Sequence, residues 1–99
     1  MKTFSEKIYK IAQQIPKGKV ATYKQLAQMA GSPGAARAVG MLMKCNPDKS
    51  KIPCHRVVSS TGHLTGYAFG KGIITKKLML QKEGVKFVNN KVDLKQSQW

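Results

Sequence analysis

The chain is short of acidic residues, of cysteines and of long apolar runs, and each shortage excludes a class of protein. Four carboxylate side chains stand against eighteen Lys and Arg, which leaves a formal net charge of +14 on 99 residues. No apolar stretch approaches the roughly 20 residues of a membrane span, and no signal peptide is recognisable. We expect a single domain over 1–99 that is cytoplasmic, makes no use of a membrane and associates with a polyanion such as nucleoid DNA.

The two cysteines, Cys45 and Cys54, do not predict a disulfide in a reducing compartment. Together with His55 and His63 they match none of the paired ligand spacings of zinc sites, so we expect no metal. We interpret His63 as a surface loop residue. Two alternatives remain for the cysteines: a reactive thiol, or two inert thiols.

Apolar residues at helical spacing predict three N-terminal helices, over 3–15, 23–30 and 33–44. The segment Thr22–Gln25 is a capping box that opens the second helix, and Ser32 is the expected N-cap of the third. Two short helices joined by a glycine-containing turn are typical of a helix-turn-helix.

The C-terminal part of the chain predicts one more helix and a small β element. The helix covers 73–83, and we expect Ile74, Leu78 and Met79 on its buried face. A β-like run at 56–58 and a hairpin turning at Asn89-Asn90 supply the strands. The fold class is therefore mostly α with a small β element, a winged helix-turn-helix-like DNA-binding domain.

The third helix carries one long cation, Arg37, among small residues. Small side chains let a backbone approach a ligand closely, and they equally allow close packing between helices. The composition of this helix alone does not decide between close approach to a ligand and close packing against another helix.

The segment Ile52–Val58 holds the strongest chemical signal. A cysteine is a nucleophile only as its thiolate, which cationic or proton-accepting neighbours favour. Cys54 has His55 and Arg56 beside it, although an extended backbone would direct side chains 54 and 55 to opposite faces. A catalytic cysteine and a buried loop cysteine are both compatible with this spacing.

The letters PCHRVV, residues 53–58, closely resemble the active-site motif of the O6-alkylguanine-DNA alkyltransferases. Further segments resemble motifs of the same family in the same order: the helix-turn-helix entry Ala21–Ala27, the recognition helix Ala35–Gly40, the asparagine hinge Asn46-Pro47, the pocket loop Gly66-Tyr67 and the closing acid Glu83-Gly84. The resemblance covers nearly the whole chain and implies an alkyltransferase-type domain.

The resemblance also implies a catalytic set. Cys54 would accept the alkyl group from O6 of a guanine, and His55 would take the thiol proton through a water, with Glu83 orienting the imidazole. Asn46 would hold the turn that carries the cysteine. Tyr23 would contact the guanine and rotate the 3′ phosphate. The product thioether has no hydrolytic exit, so each molecule would act once and without a cofactor.

A DNA-binding set and a base pocket follow from the same resemblance. Arg37 would fill the space left by a flipped base, and Ala36 and Ala38 would let the helix lie in the minor groove. Arg56 would add a DNA contact. The pocket would be lined by Met43, Tyr67, Ala68 and Val57.

Some features depart from the family. Residues Tyr67–Gly70 read Tyr-Ala-Phe-Gly where a serine is common, Cys45 replaces a usual glycine, and these 99 residues contain no counterpart of the N-terminal domain of full-length members. These changes leave the alkyl range, the transfer rate and the source of that domain open. The length resembles alkyltransferase-like lesion sensors, which flag alkylguanine for excision-repair proteins without transfer but commonly replace the nucleophile that Cys54 retains. We expect a monomeric transferase acting on double-stranded DNA; the alternatives are a lesion sensor and a helix-turn-helix transcription regulator.

Overall fold

The computed structural model describes residues 3–45, 51–64 and 72–99. The elements in chain order are α1 (Phe4–Ala12), β1 (Ala21–Thr22), α2 (Tyr23–Met29), α3 (Ala36–Lys44), a 3₁₀ helix (Cys54–Arg56), β2 (Val57–Val58), α4 (Ile73–Lys82), β3 (Phe87–Val88), β4 (Lys91–Val92) and α5 (Leu94–Ser97). The mostly α fold with a small β element is confirmed. Within the described ranges, no helix is both long and apolar enough to cross a membrane.

The second helix begins where its capping box predicted. The Thr22 hydroxyl accepts a hydrogen bond from the Gln25 backbone N–H at 3.0 Å, and the Gln25 side chain accepts one from the Thr22 N–H at 3.3 Å. Gly31 then adopts a φ of +82°, which an L side chain rarely does, and turns the chain toward α3. Because α2 packs against α3, the pair forms the expected helix-turn-helix arrangement.

The predicted start of α3 at Pro33, with Ser32 as its N-cap, was wrong. The Ser32 carbonyl accepts a hydrogen bond from the Ala35 N–H at 2.9 Å in a turn, and the helix begins only at Ala36. Pro33 and Gly34 occupy this turn, and glycine loses more entropy in a helix than any other residue. Helix α3 therefore starts one residue before Arg37.

A short parallel sheet, which the sequence did not predict, separates two cores. Ala21 in β1 pairs with Val57 in β2. Because successive strand residues point to opposite faces, Ala21 and Val57 pack with α1, α2 and α3, whereas Val20 and Val58 pack with Leu80 and the hairpin. The 3₁₀ helix enters β2 directly, and its first residue, Cys54, belongs to the core formed with α1, α2 and α3, which we call the first core.

Helix α4 presents a different face to the core from the one predicted. Ile74 and Leu78 are 63% and 60% exposed, while Lys76 and Leu80 are 1% and 0% exposed. The buried pair has the i, i+4 spacing of one helix face. Because a lysine occupies one of the core positions, the pattern of apolar residues did not reveal which face of α4 is buried.

The hairpin and the tail close the fold. Asn89 and Asn90 adopt φ values of +53° and +65°, as the hairpin prediction required. The Trp99 N–H donates to the Val20 carbonyl at 2.7 Å, and Gln25 Nε2 donates to the Trp99 carbonyl at 2.5 Å. The C-terminal residues are thereby fixed against β1 and the start of α2.

Candidate active site around Cys54

Cys54 lies at the start of the 3₁₀ helix, so the extended backbone that would separate side chains 54 and 55 does not occur. Its N–H donates to the Ile52 carbonyl at 2.8 Å, and the Arg56 N–H donates to the Pro53 carbonyl at 2.9 Å. The thiol belongs to the first core and the residue is only 3% exposed. A 3₁₀ turn places successive side chains about 120° apart, so Cys54 and His55 no longer point in opposite directions.

His55 and Glu83 meet although they lie far apart in the sequence. Nε2 of His55 is 3.0 Å from Oε2 of Glu83. An ionised carboxylate can only accept, so Nε2 carries the hydrogen and the neutral ring has Nδ1 as its acceptor. This tautomer leaves Nδ1 as the atom that can take a proton.

The charge states of this pair suit proton acceptance. Burial lowers the pKa of His55 below its usual value, and the charges of Arg56 and Lys76 act in the same direction against the opposing effect of Glu83. Burial acts to raise the pKa of Glu83, but hydrogen bonds from Arg56 and His55 outweigh it and hold the pKa below its usual value. At neutral pH the pair is therefore an uncharged imidazole oriented by a carboxylate.

Arg56 holds Glu83 in place. Nε donates to Oε1 of Glu83 at 2.9 Å, and Nη2 donates to Oε2 at 2.7 Å. Nη1 donates to the Ile15 carbonyl at 2.9 Å, so the guanidinium also ties the segment after α1 to the site. These contacts engage all three guanidinium nitrogens and position Glu83, while the expected DNA contact of Arg56 stays a prediction.

Lys76 is a further charged residue at this site that the sequence analysis missed. Its Nζ donates to the Val57 carbonyl at 2.6 Å. Burial lowers its pKa to about 8, and the charge of Cys54 acts in the opposite direction. The only indication in the sequence that Lys76 could be buried is its position four residues before Leu80, on the same helix face.

The helix-turn-helix contributes a groove of about 650 Å³ next to the segment that follows β2. Three predicted site residues line it, Tyr23, Ala36 and Arg37. The sequence did not single out the other lining residues, which are Lys24, Ser59 and Ser60. Arg37 and Ala38 are exposed on α3.

The remaining predicted residues divide into two groups. Met43 is 2% exposed and shares the first core with Cys54, and Val57 is fully buried in β2. Asn46, Tyr67 and Ala68 lie outside the described residues. Among the residues that the structure describes, no group of three or more His, Cys, Asp or Glu is placed to hold a metal ion.

The sequence of the chain is similar to one protein family and to several of its members. Residues 3–85 match the family model described as 6-O-methylguanine DNA methyltransferase, DNA binding domain. A methylated-DNA–protein-cysteine methyltransferase of Shigella flexneri is 44% identical over 81 residues, which are 82% of this chain and 46% of that protein. Its Mycobacterium tuberculosis H37Rv counterpart is 42% identical over 80 residues, 81% of this chain and 47% of that protein. The chain spans about half the length of the curated relatives it matches.

Two solved structures resemble the whole fold or most of it. Schizosaccharomyces pombe Atl1, in complex with damaged DNA containing O6-carboxymethylguanine, superimposes with a TM-score of 0.86 at 33% identity. That match covers 100% of this chain and 98% of Atl1. The M. tuberculosis O6-methylguanine methyltransferase gives a TM-score of 0.75 at 40% identity, over 85% of this chain and 50% of that one.

Proposed function

The chain belongs to the 6-O-methylguanine DNA methyltransferase family, and from this premise we propose that it repairs O6-alkylguanine in DNA by transferring the alkyl group to Cys54. The observation that carries this proposal is the buried Cys54 immediately before His55, whose Nε2 lies 3.0 Å from Glu83. A nucleophile, a base and a group that orients the base are the parts that thiol activation requires.

The proposed reaction begins with loss of the Cys54 proton to Nδ1 of His55 through a water. The thiolate attacks the alkyl carbon, so an S–C bond forms as the bond from that carbon to guanine O6 breaks. The electron pair of the broken bond stays with the guanine, which takes up the proton that His55 accepted and returns to its normal form. Because the thioether is not hydrolysed, one protein molecule would repair one lesion.

The helix-turn-helix residues would bring the lesion to Cys54. The net charge of +14 favours binding to phosphates, and the small side chains of the half-buried Ala36 and the exposed Ala38 would allow α3 to enter the minor groove. Arg37 would occupy the vacated base position, and Tyr23 would contact the flipped nucleotide. Association with the nucleoid in the cytoplasm belongs to the same proposal.

The residues that the resemblance assigned to the turn and the pocket complete the proposed site. Asn46 would support the turn before Cys54. Tyr67 and Ala68 would form the wall of the base pocket. Met43 and Val57 would back the pocket from the core that also holds Cys54.

A lesion sensor is the second candidate function. Atl1 matches this chain over nearly its entire length, whereas the transferases match over about half of theirs. A sensor would bind alkylguanine, leave it chemically unchanged and present it to excision-repair proteins. We favour transfer because Cys54 is present and directly precedes His55, whose imidazole is paired with Glu83.

A single-turnover oligonucleotide assay separates the two functions. A duplex with one O6-methylguanine is incubated with excess protein. The DNA is then digested to nucleosides, and the remaining O6-methylguanine is quantified. Transfer predicts conversion of the lesion to guanine, unchanged in Cys45→Ser and abolished in Cys54→Ser. Tight binding with the lesion intact after long incubation would contradict transfer and establish the sensor.

A further inference from the structure

We propose that the hairpin of β3 and β4 is a second phosphate-binding surface, which binds the backbone of the same DNA duplex as α3 through Lys91 and Lys95. The inference rests on the proposed function only in that the partner is double-stranded DNA. It extends the DNA-binding surface into residues 86–99, which lie beyond the segment 3–85 that matches the family.

The loop after β2 joins the groove of the helix-turn-helix to a second groove beside the hairpin. Ser59 and Ser60 line the first groove together with Arg37. Thr61 lines the second, which has a volume of about 470 Å³ and is completed by the hairpin and the start of α5. Because Ser60 and Thr61 are adjacent in the chain, the two grooves meet at this loop. A nucleic-acid backbone that leaves the first groove over Ser60 therefore reaches the hairpin groove at Thr61.

The hairpin is held in a fixed position against this loop. The Val92 N–H donates to the Gly62 carbonyl at 2.9 Å. The two backbones are so close that a Cβ on Gly62 would lie 2.5 Å from the Val92 carbonyl oxygen. At the tip of the hairpin, Nζ of Lys77 donates to Oδ1 of Asn90 at 2.8 Å. A surface that is ordered before binding loses little conformational entropy when a ligand arrives.

The hairpin groove has a positive charge that is available to a ligand. Lys91 is half-buried, Lys95 is exposed, and among the described residues neither forms an ion pair. The acid in the lining is Asp93, and both of its carboxylate oxygens accept hydrogen bonds within α5. Oδ1 accepts from the Lys95 backbone N–H at 3.1 Å, and Oδ2 accepts from Nε2 of Gln96 at 2.7 Å. The two lysine ammonium groups therefore outnumber the one carboxylate.

The backbone of a duplex fits the arrangement of these cations. Lys24 and Arg37 line the groove on one side of the loop, and Lys91 and Lys95 line the groove on the other side. Duplex DNA carries about one negative charge per 1.7 Å of its axis, so it offers phosphates to both grooves at once. A ligand with a single charge would use only one of them.

The test measures the affinity for an undamaged fluorescent duplex by anisotropy, over a range of salt concentrations. The double variant Lys91→Gln/Lys95→Gln removes both hairpin charges. If each lysine neutralises one phosphate, the slope of log affinity against log salt should become shallower by about 1.8. The advantage of the parent in affinity should then shrink about twelvefold between about 50 and 200 mM salt.

Lys7→Gln/Lys10→Gln is the matched control, because it removes the same charge from exposed positions on α1. These lysines line a separate groove with Met29 and Ala30, at the opposite end of α2 from the helix-turn-helix groove. The control should keep the parent slope, since salt screens charges that lie more than about 10 Å from the phosphates. Equal slopes for the parent and the hairpin variant would overturn the inference. An equal reduction in both double variants would also overturn it, because net charge alone would then explain the binding.

A second measurement uses the unaltered sequence. Lysines are acetylated with N-hydroxysuccinimide acetate in the presence and absence of the undamaged duplex, and the modified positions are mapped by mass spectrometry. Lys91 and Lys95 should react several times more slowly in the complex, whereas Lys7 and Lys10 should react at the same rate. Hairpin lysines that remain fully reactive in the complex would contradict the inference.

Failure of the inference is distinguishable from failure of the proposed function. Both measurements use undamaged DNA, so neither depends on alkyl transfer. If the hairpin makes no phosphate contact, the parent still binds the duplex and still repairs the lesion in the oligonucleotide assay. A parent protein that binds no duplex at all would overturn the proposed function and this inference together.

Discussion

Replacement of Arg56 by Met removes the residue that links Glu83, the 3₁₀ helix and the segment after α1. Three hydrogen bonds are lost, two to a carboxylate whose side chain is 13% exposed and one to the Ile15 carbonyl. Removing one partner of a largely buried ion pair leaves the other charge uncompensated, which costs about 3 kcal/mol. We therefore expect the free energy of unfolding of Arg56→Met to fall by about that amount, out of about 5–15 kcal/mol for a domain of this size.

Urea denaturation at pH 7 measures this loss, and Arg37→Met is the control because it removes an equal charge from an exposed position. The control should change the free energy of unfolding by no more than about 0.5 kcal/mol. If Arg56→Met retained parent stability and lost DNA affinity as Arg37→Met does, Arg56 would be a phosphate contact and the positioning role would be wrong.

Three further predictions address backbone geometry, pH and base flipping. Gly62→Ala should lower the free energy of unfolding in urea by more than about 3 kcal/mol, because Gly62 has a φ of +87° and a Cβ would lie 2.5 Å from the Val92 carbonyl oxygen. Gly34→Ala, whose Cβ would meet nothing within 4 Å, should cost little. Because the pKa of His55 is lowered in the folded protein, the unfolded protein binds more protons as the pH drops below about 6.5. The free energy of unfolding should therefore decrease as the pH is lowered through this range, and His55→Gln should make that decrease smaller. Arg37→Ala should slow repair of duplex DNA about tenfold or more, yet leave reaction with free O6-benzylguanine unchanged, and equal losses in both would contradict flipping.

Local signals in the sequence predicted the helices better than the site contacts. The capping box of Thr22 and Gln25 acts within one turn, and Asn89-Asn90 encodes its own positive φ values, so both were predictable. Arg56 instead contacts Ile15 and Glu83, which lie 41 and 27 residues away. No local periodicity encodes such partners.

Lys76 shows the same limit on helix α4. Apolar periodicity favoured Ile74 and Leu78 for the core, but these side chains are exposed and Lys76 is buried. The burial of a lysine depends on a tertiary hydrogen-bond partner, here the carbonyl of Val57 in β2. The parallel pairing of β1 with β2 that positions this carbonyl also joins distant parts of the chain.

The central claim is that Cys54 is the alkyl acceptor, and mass spectrometry of the reacted protein tests it most directly. The protein is incubated with an equimolar amount of a duplex containing O6-methylguanine. Its intact mass is then measured, and the modified residue is identified by peptide mapping. We predict the gain of one methyl group per molecule, located on Cys54 and absent from Cys45. Unmodified protein recovered with an intact lesion, or a methyl group on Cys45, would contradict the account.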